Sequence, residues 1–193
     1  KMNNFKIFLQ SYLRNLSNSI LFADLESMNK AAKLILSTIK KKKTIYVCGN
    51  GGSAAIANHY VCDFLKFFRQ KTKYMPKIIS LSNSIETITA IANDIDYNKI
   101  FSYQAESLCE KNDLIIIISS SGKSKNIIEI IKTAKKKGIK ILGFSGFKGG
   151  YLKKNSDISV HIAAENYGIS EDSHHILMHV LLQYLIRFFG KKI

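Results

Sequence analysis

Along the start of the chain, apolar side chains recur three and four positions apart. Phe5, Phe8, Leu9, Tyr12, Leu13, Leu16 and Ile20 mark a helix over 4–22, and Leu25 to Ile39 continue at the same period. Then the pattern switches. Thr44-Ile45-Tyr46-Val47-Cys48 is a short, β-rich apolar run that ends at Gly49, and a helical stretch follows from about Ser53 to Arg69. Similar apolar runs recur at Lys77 to Leu81, Leu114 to Ile118, Ile139 to Phe144 and Ile158 to Ile162, with helical patterns between most of them. A last, strongly apolar helix is predicted over about Ser170 to Phe189. Continuous apolar strands alternating with helices predict a parallel sheet covered on both faces. The expected fold is α/β: a three-layer α/β/α sandwich around a five-stranded parallel sheet, with two extra N-terminal helices. Pro76, the only proline, opens a strand, where its missing N–H is tolerated. No linker, internal repeat or low-complexity segment interrupts the pattern. The expectation is one domain over 1–193, with N-terminal helices over 1–40 and an α/β core over 41–193.

Composition narrows the class. The chain has 193 residues, 46% of them hydrophobic and 22% charged, which excludes a disordered chain. No apolar run reaches the roughly 18 residues that a membrane span needs. Near the start, Phe5, Ile7, Phe8 and Leu9 are interrupted by Lys6 and Gln10, a pattern read as lacking a signal peptide. Lys1 precedes Met2 and is read as foreign to the native start. Cys48, Cys62 and Cys109 form no CxxC, so a reducing, cytoplasmic setting is expected. The formal net charge is +15. Its densest runs, Lys40 to Lys43 and Lys135 to Lys137, fall where helical patterns end, and lysine is favourable there without any ligand. Neither run is interleaved with aromatics that would stack on bases. The charge is therefore assigned to solvated helix ends and to attraction of small anions, with neither a nucleic-acid nor a membrane partner expected.

Ligand sites of open parallel sheets lie beyond the C-terminal ends of the strands. The first strand runs into Cys48-Gly49-Asn50-Gly51-Gly52-Ser53-Ala54-Ala55. Glycines there let the backbone turn and approach a ligand, and a helix N-terminus attracts anions. Gly49, Gly51 and Ala54 satisfy a loose dinucleotide spacing, but the second strand ends in Ile79-Ser80-Leu81-Ser82-Asn83, with no carboxylate for a ribose. The third strand ends in Ser119-Ser120-Ser121-Gly122-Lys123-Ser124-Lys125-Asn126. A P-loop would need a glycine where Ile117 stands, so that pattern fails. A cluster of hydroxyls opening a helix suits one phosphate monoester. A serine-rich turn would satisfy structure alone, but two such loops in one domain favour a phosphorylated small molecule over a dinucleotide.

His59 and Asp63 lie four apart and share a helical face. Glu171, His175 and His179 form an i, i+4, i+8 row on the last helix, with Asp172 and His174 alongside. Histidines and carboxylates converging from two helices can bind zinc or act as acid and base. A lone histidine on an apolar helix is more often packed and hydrogen-bonded, and His161, on a predicted strand, is assigned to structure.

With these residues in view, the chain resembles the sugar isomerase (SIS) domain family, and within it the phosphoheptose isomerases. The resemblance spans nearly the whole chain. It rests on the leading helices, Gly49-Asn50-Gly51-Gly52-Ser53-Ala54-Ala55 with His59, Ala92-Asn93-Asp94 followed by Tyr97 and Phe101, the serine loop, and the terminal helix with His179. The serine loop alone marks the superfamily; its combination with the other two segments is more specific. The resemblance implies a flavodoxin-like SIS fold and a cytoplasmic homotetramer, with the leading helices packed between subunits. It implies ketose–aldose isomerisation of sedoheptulose 7-phosphate to D-glycero-D-manno-heptose 7-phosphate through an enediol, for bacterial lipopolysaccharide or capsule heptose. Ser119, Ser120, Ser121 and Ser124 would hold the phosphate. Asn50, Gly51, Gly52, Asn93 and Asp94 would contact the sugar, together with Asp63 and Glu171. His179, Asp63 and Glu171 would supply the acid–base set, and one zinc per subunit would sit on His59, Asp63, Glu171 and His179.

Two departures stand out against the resemblance. The family usually has Glu where this chain has Asp63, and Gln where it has Glu171. Asp is one methylene shorter, and a displacement of about 1 Å can cost on the order of 100-fold in rate. The expectation is an exchange of reach, in which Glu171 supplies the longer arm and Asp63 stays a metal ligand. Rival readings are a non-catalytic SIS module, like the family's relative that binds the replication initiator protein, an SIS isomerase for another sugar phosphate, and a basic nucleic-acid-binding protein.

Overall fold

The computed structural model describes residues 4–190; Lys1 and Met2 lie outside the described residues. Its centre is a parallel sheet of β1 (Thr44–Gly49), β2 (Lys77–Ser80), β3 (Leu114–Ser119), β4 (Lys140–Ser145) and β5 (Ile158–His161). The spatial order is β2-β1-β3-β4-β5 and every pairing is parallel. This is the flavodoxin-like order, in which the chain turns back at β1 and β3. Every residue of β3 is buried, as expected of a central strand covered on both faces.

Alternation along β3 divides the core in two. Leu114, Ile116 and Ile118 pack with Ile35, Phe64, Leu181 and Leu185 on one face. Ile115 and Ile117 pack with Phe101, Ile127 and Ile131 on the other. The first face is covered by α2 (Leu25–Lys40), α3 (Gly52–Asp63) and α9 (Tyr167–Phe189). The second is covered by α6 (Ser102–Leu108) and α7 (Lys125–Lys137). These are the three layers that the apolar runs predict.

Helix ends follow local chemistry. Asp24 accepts from the N–H groups of Glu26 and Ser27 to start α2. Asn166 accepts from Ile169 at 3.0 Å, which starts α9 three residues ahead of the predicted Ser170. The lysine runs lie where expected, Lys40 in the last turn of α2 and Lys135 to Lys137 in the last turn of α7. α1 (Phe5–Leu21) has no buried residue and lies along α9, where the Tyr12 hydroxyl donates to Asp172 at 2.6 Å.

Three features depart from simple periodicity. Past Asp63 the α3 helix widens into a π-helical turn over Phe64–Phe68 before a last turn, α4 (Arg69–Lys71). That turn keeps Phe64 and Phe68 both buried, their rings stacked at 5.0 Å. A second π-turn, Ala92–Asp96, follows α5 (Ile85–Ile91) and carries Asn93 and Asp94. A six-residue helix, α8 (Gly150–Asn155), lies between β4 and β5, where the sequence shows no helical period. Among the described residues no helix is long and apolar enough to cross a membrane.

Ile116 is fully buried at the middle of β3. Ile116→Ala is expected to destabilise the fold by about 2–5 kcal/mol. The shift in the denaturant midpoint of circular dichroism measures it, and a loss well under 1 kcal/mol would contradict the central place given to β3.

Candidate active site

The two loops meet because β1 and β3 are neighbours while their helices leave on opposite faces. α3 packs in the first core with Ile56 and Tyr60, and α7 in the second with Ile127 and Ile130. The crevice between them opens at the carboxyl ends of the strands. Gly51 turns the first loop at φ +52°, a left-handed conformation that a side chain would disfavour. Across the crevice Asn50 and Asn126 form a reciprocal amide pair, each Nδ2 donating to the other's Oδ1 at 2.9 Å. Asn126 is fully buried, and the Tyr97 hydroxyl donates to Asn50 Oδ1 at 3.3 Å.

The serine loop is shaped by its own hydroxyls. Ser119 Oγ accepts from the Gly122 N–H at 3.2 Å, and Ser121 Oγ accepts from Lys123 at 3.3 Å. Ser120 Oγ is buried and has no hydrogen-bond partner among the described residues. Ser124 precedes α7 without capping it, which leaves its hydroxyl and the helix N-terminus available to an anion. A cavity of about 130 Å³ lies here, lined by Asn50, Ser53, Ser119 to Ser121, Ser124 and Glu171. The Glu171 carboxylate covers Gly52 so closely that a Cβ there would collide with it.

A second group gathers between α3 and α9. His59 Nε2 lies 3.2 Å from His179 Nε2, and Asp63 Oδ2 lies 3.5 Å from the first and 3.3 Å from the second. Tetrahedral donors at the usual zinc–ligand lengths of about 2.0–2.1 Å stand about 3.3 Å apart. These three atoms already form one face of such a site, so the residues fit a metal ion. His175 adds a third imidazole: its ring centroid is 4.7 Å from that of His59 and 4.6 Å from that of His179. One ring nitrogen from each histidine lies within 4.8 Å of the others. Burial, then the neighbouring imidazoles, hold His175 below the usual histidine range.

The structure therefore divides the expected residues into neighbourhoods. Asn50, Ser119, Ser120, Ser121, Ser124 and Glu171 share the cavity, Gly52 lies against the Glu171 carboxylate, and Gly51 turns the loop before it; His59, Asp63 and His179 share the cluster. Asn93 and Asp94 stand exposed on the second π-turn, with Asn93 Nδ2 donating to Asp94 Oδ1 at 2.7 Å. They approach the loops only through Tyr97, just beyond that turn. Other polar groups serve the frame. Asp172 holds Tyr12, whose hydroxyl is pushed up to about 12 by that hydrogen bond. His174 is fully buried beside Phe144 and burial pushes it down to about 4; His161 Nδ1 is 3.1 Å from Ser145 Oγ. Two roles are not read from the sequence: the link made by Asn126, and the junction of His175 with His59, for which the i, i+4, i+8 row is the available signal.

Known proteins place this arrangement. Residues 10–146 match the SIS domain family. Phosphoheptose isomerase of Campylobacter concisus is 35% identical over 159 residues, 82% of this chain and 84% of the relative. That of Helicobacter pylori is 34% identical over 167 residues, 86% of each chain. The solved structure of a phosphoheptose isomerase from Francisella tularensis superposes with a TM-score of 0.86 at 25% identity, covering 95% of this chain and 96% of that one. By fold and by sequence over most of its length, this chain belongs to the phosphoheptose isomerases of the SIS domain family.

Proposed function

We propose that the chain isomerises sedoheptulose 7-phosphate to D-glycero-D-manno-heptose 7-phosphate through an enediol. The observation that carries this reading is the placement of an imidazole–carboxylate cluster beside an anion-binding serine loop in a chain of this family. A binding module that kept only the loops would have no use for three imidazoles and two carboxylates there.

In this reading Ser119, Ser120, Ser121, Ser124 and the α7 N-terminus hold the phosphate, the end of the substrate that does not react. Binding energy from that end orients the carbonyl end. Asn50, held by Asn126 and Tyr97, presents its amide to the sugar, with Gly51, Gly52, Asn93 and Asp94 completing the sugar contacts. Glu171 is the base: it takes a proton from C1 and, after exchange with solvent, delivers one to C2. Meanwhile the hydroxyl proton moves from O1 to O2, with the carboxylate oxygen of Asp63 that faces away from the imidazoles the exchangeable group nearest that end and His179 oriented there as its partner. His59, Asp63 and His179 would hold zinc, which supplies Lewis-acid polarisation of the carbonyl when bound.

The remaining features fit a cytoplasmic homotetramer serving lipopolysaccharide or capsule heptose. In this reading one SIS domain spans 1–193, of which residues 10–146 match the family, and α1 exposes Phe5, Phe8 and Leu13, an apolar face suited to packing between subunits.

Three outcomes test the reading. In deuterated water, NMR should show sedoheptulose 7-phosphate converting to the aldose with deuterium at C2; no conversion by zinc-loaded, folded protein would exclude this substrate. Glu171→Gln should lower kcat by about 100-fold or more while leaving KM within a few fold, and a variant with near-normal kcat would remove Glu171 from the base's role. Asn126→Leu breaks both amide bonds and leaves Asn50 held by Tyr97 alone, at about 1–3 kcal/mol. It should raise KM by about tenfold, with kcat changed less; an unchanged KM would mean that the amide pair does not position the sugar contact.

A further inference from the structure

Three donors of the imidazole cluster already stand at tetrahedral separations, and the fourth position has two claimants on the same face of α9. One is Glu171, the other His175, one turn further along. Side chains on a helix lean toward its N-terminus. That lean carries His179 back toward His175 and carries Glu171 away from both. The Glu171 carboxylate lies against Gly52, at the start of α3. His59 is seven residues further along α3, about 10 Å of helix axis. Glu171 is thus drawn to the serine cavity, while His175 faces His59 edge-on at 4.7 Å. His175 Nε2 is also buried with no hydrogen-bond partner among the described residues. A buried nitrogen left in that state is costly, and a cation satisfies it.

We infer that His175 is the fourth metal ligand of this chain, completing a three-imidazole, one-carboxylate site with His59, His179 and Asp63, and that Glu171 is not a ligand. This rests on the metal-assisted isomerase reading given above. The two unusual acidic positions then have one explanation. A third imidazole in the site leaves Glu171 off the metal, its carboxylate against Gly52 in the loop that contacts the sugar, where it is available to a carbon-bound proton. The donor set also sets the charge. One carboxylate leaves a divalent ion at net +1, whereas two would neutralise it, and the more electropositive ion stabilises developing enediolate charge better.

Zinc-edge X-ray absorption on the zinc-loaded wild-type protein counts the imidazoles without any substitution. Three imidazoles and one oxygen donor are expected; two imidazoles with two oxygens would overturn the inference. Zinc affinity, measured by competition with a chromophoric chelator, and the visible spectrum of the cobalt-substituted protein give an independent reading. His175→Gln should weaken zinc binding by about 100-fold or more and alter the cobalt bands, because loss of even an outer partner costs about 10–100-fold. Glu171→Gln should leave affinity within about threefold and the bands unchanged; the reverse pattern would assign the position to Glu171. Wild-type protein that takes up no zinc would overturn this inference, while turnover by the metal-free protein would still support the isomerase reading. Zinc held by three imidazoles without turnover would keep the ligand assignment and overturn the isomerase reading instead.

Discussion

Everything at the site depends on β1 and β3 lying side by side in parallel. Their backbone register, Cys48 against Ile117 and Gly49 against Ile118, brings two strand ends to the same level. Their helices then leave on opposite faces, so the polypeptide opens a crevice that no side chain has to create. The glycine loop and the serine loop reach that crevice from opposite sides. The part-buried Asn50–Asn126 pair spans it, joining positions 76 residues apart in sequence. Each amide satisfies the other, which is how a polar group can be buried this close to the core without penalty. The pair makes the two loops one object, and the sugar contact and the phosphate contact are held at a set separation.

The same sheet explains what is legible in the sequence. The inner strands can be read because a strand buried on both faces must be apolar throughout, as Leu114 to Ile118 are, while the edge strands β2 and β5, only partly buried, show as short β-branched runs. The long helices carry their period openly. The stretch from Ile85 to Leu108 does not. It passes through a short helix, a π-turn and a single 3₁₀ turn, which pack on one another and meet α7 through the 3₁₀ turn, so no long helical period develops. α8 is hidden for a similar reason, since in six residues only Leu152 is fully buried.

Site residues were legible by type and less so by partner. Glycines and serines at strand ends announce an anion loop, and histidines at helical spacing announce a cluster. Which ends meet is a tertiary fact. The direction of the Glu171 carboxylate depends on the absent Cβ of Gly52, more than 100 residues earlier in the chain. The amide partner of Asn50 depends on the crevice. Neither leaves a local trace. The lysine runs, by contrast, are read correctly because helix ends and lysine interact within one turn.

Glu171 is the residue through which the two halves of the site communicate. It lines the cavity of the serine loop, yet it stands on the same helical face as His175 and His179. A carboxylate in that place has two competing attractions, the cation site further along its own helix and the N-terminal end of α3 beneath it. The N-terminus of a helix carries partial positive charge and unsatisfied N–H groups, so it attracts the carboxylate without any ion. At the cluster, three imidazoles and Asp63 can meet the needs of a divalent ion without it. Replacing the shorter-reaching acid at 63 and the longer-reaching one at 171 would therefore not be equivalent changes. Asp63 is held beside two imidazoles, whereas the Glu171 carboxylate lies against Gly52 at the start of α3, outside that cluster.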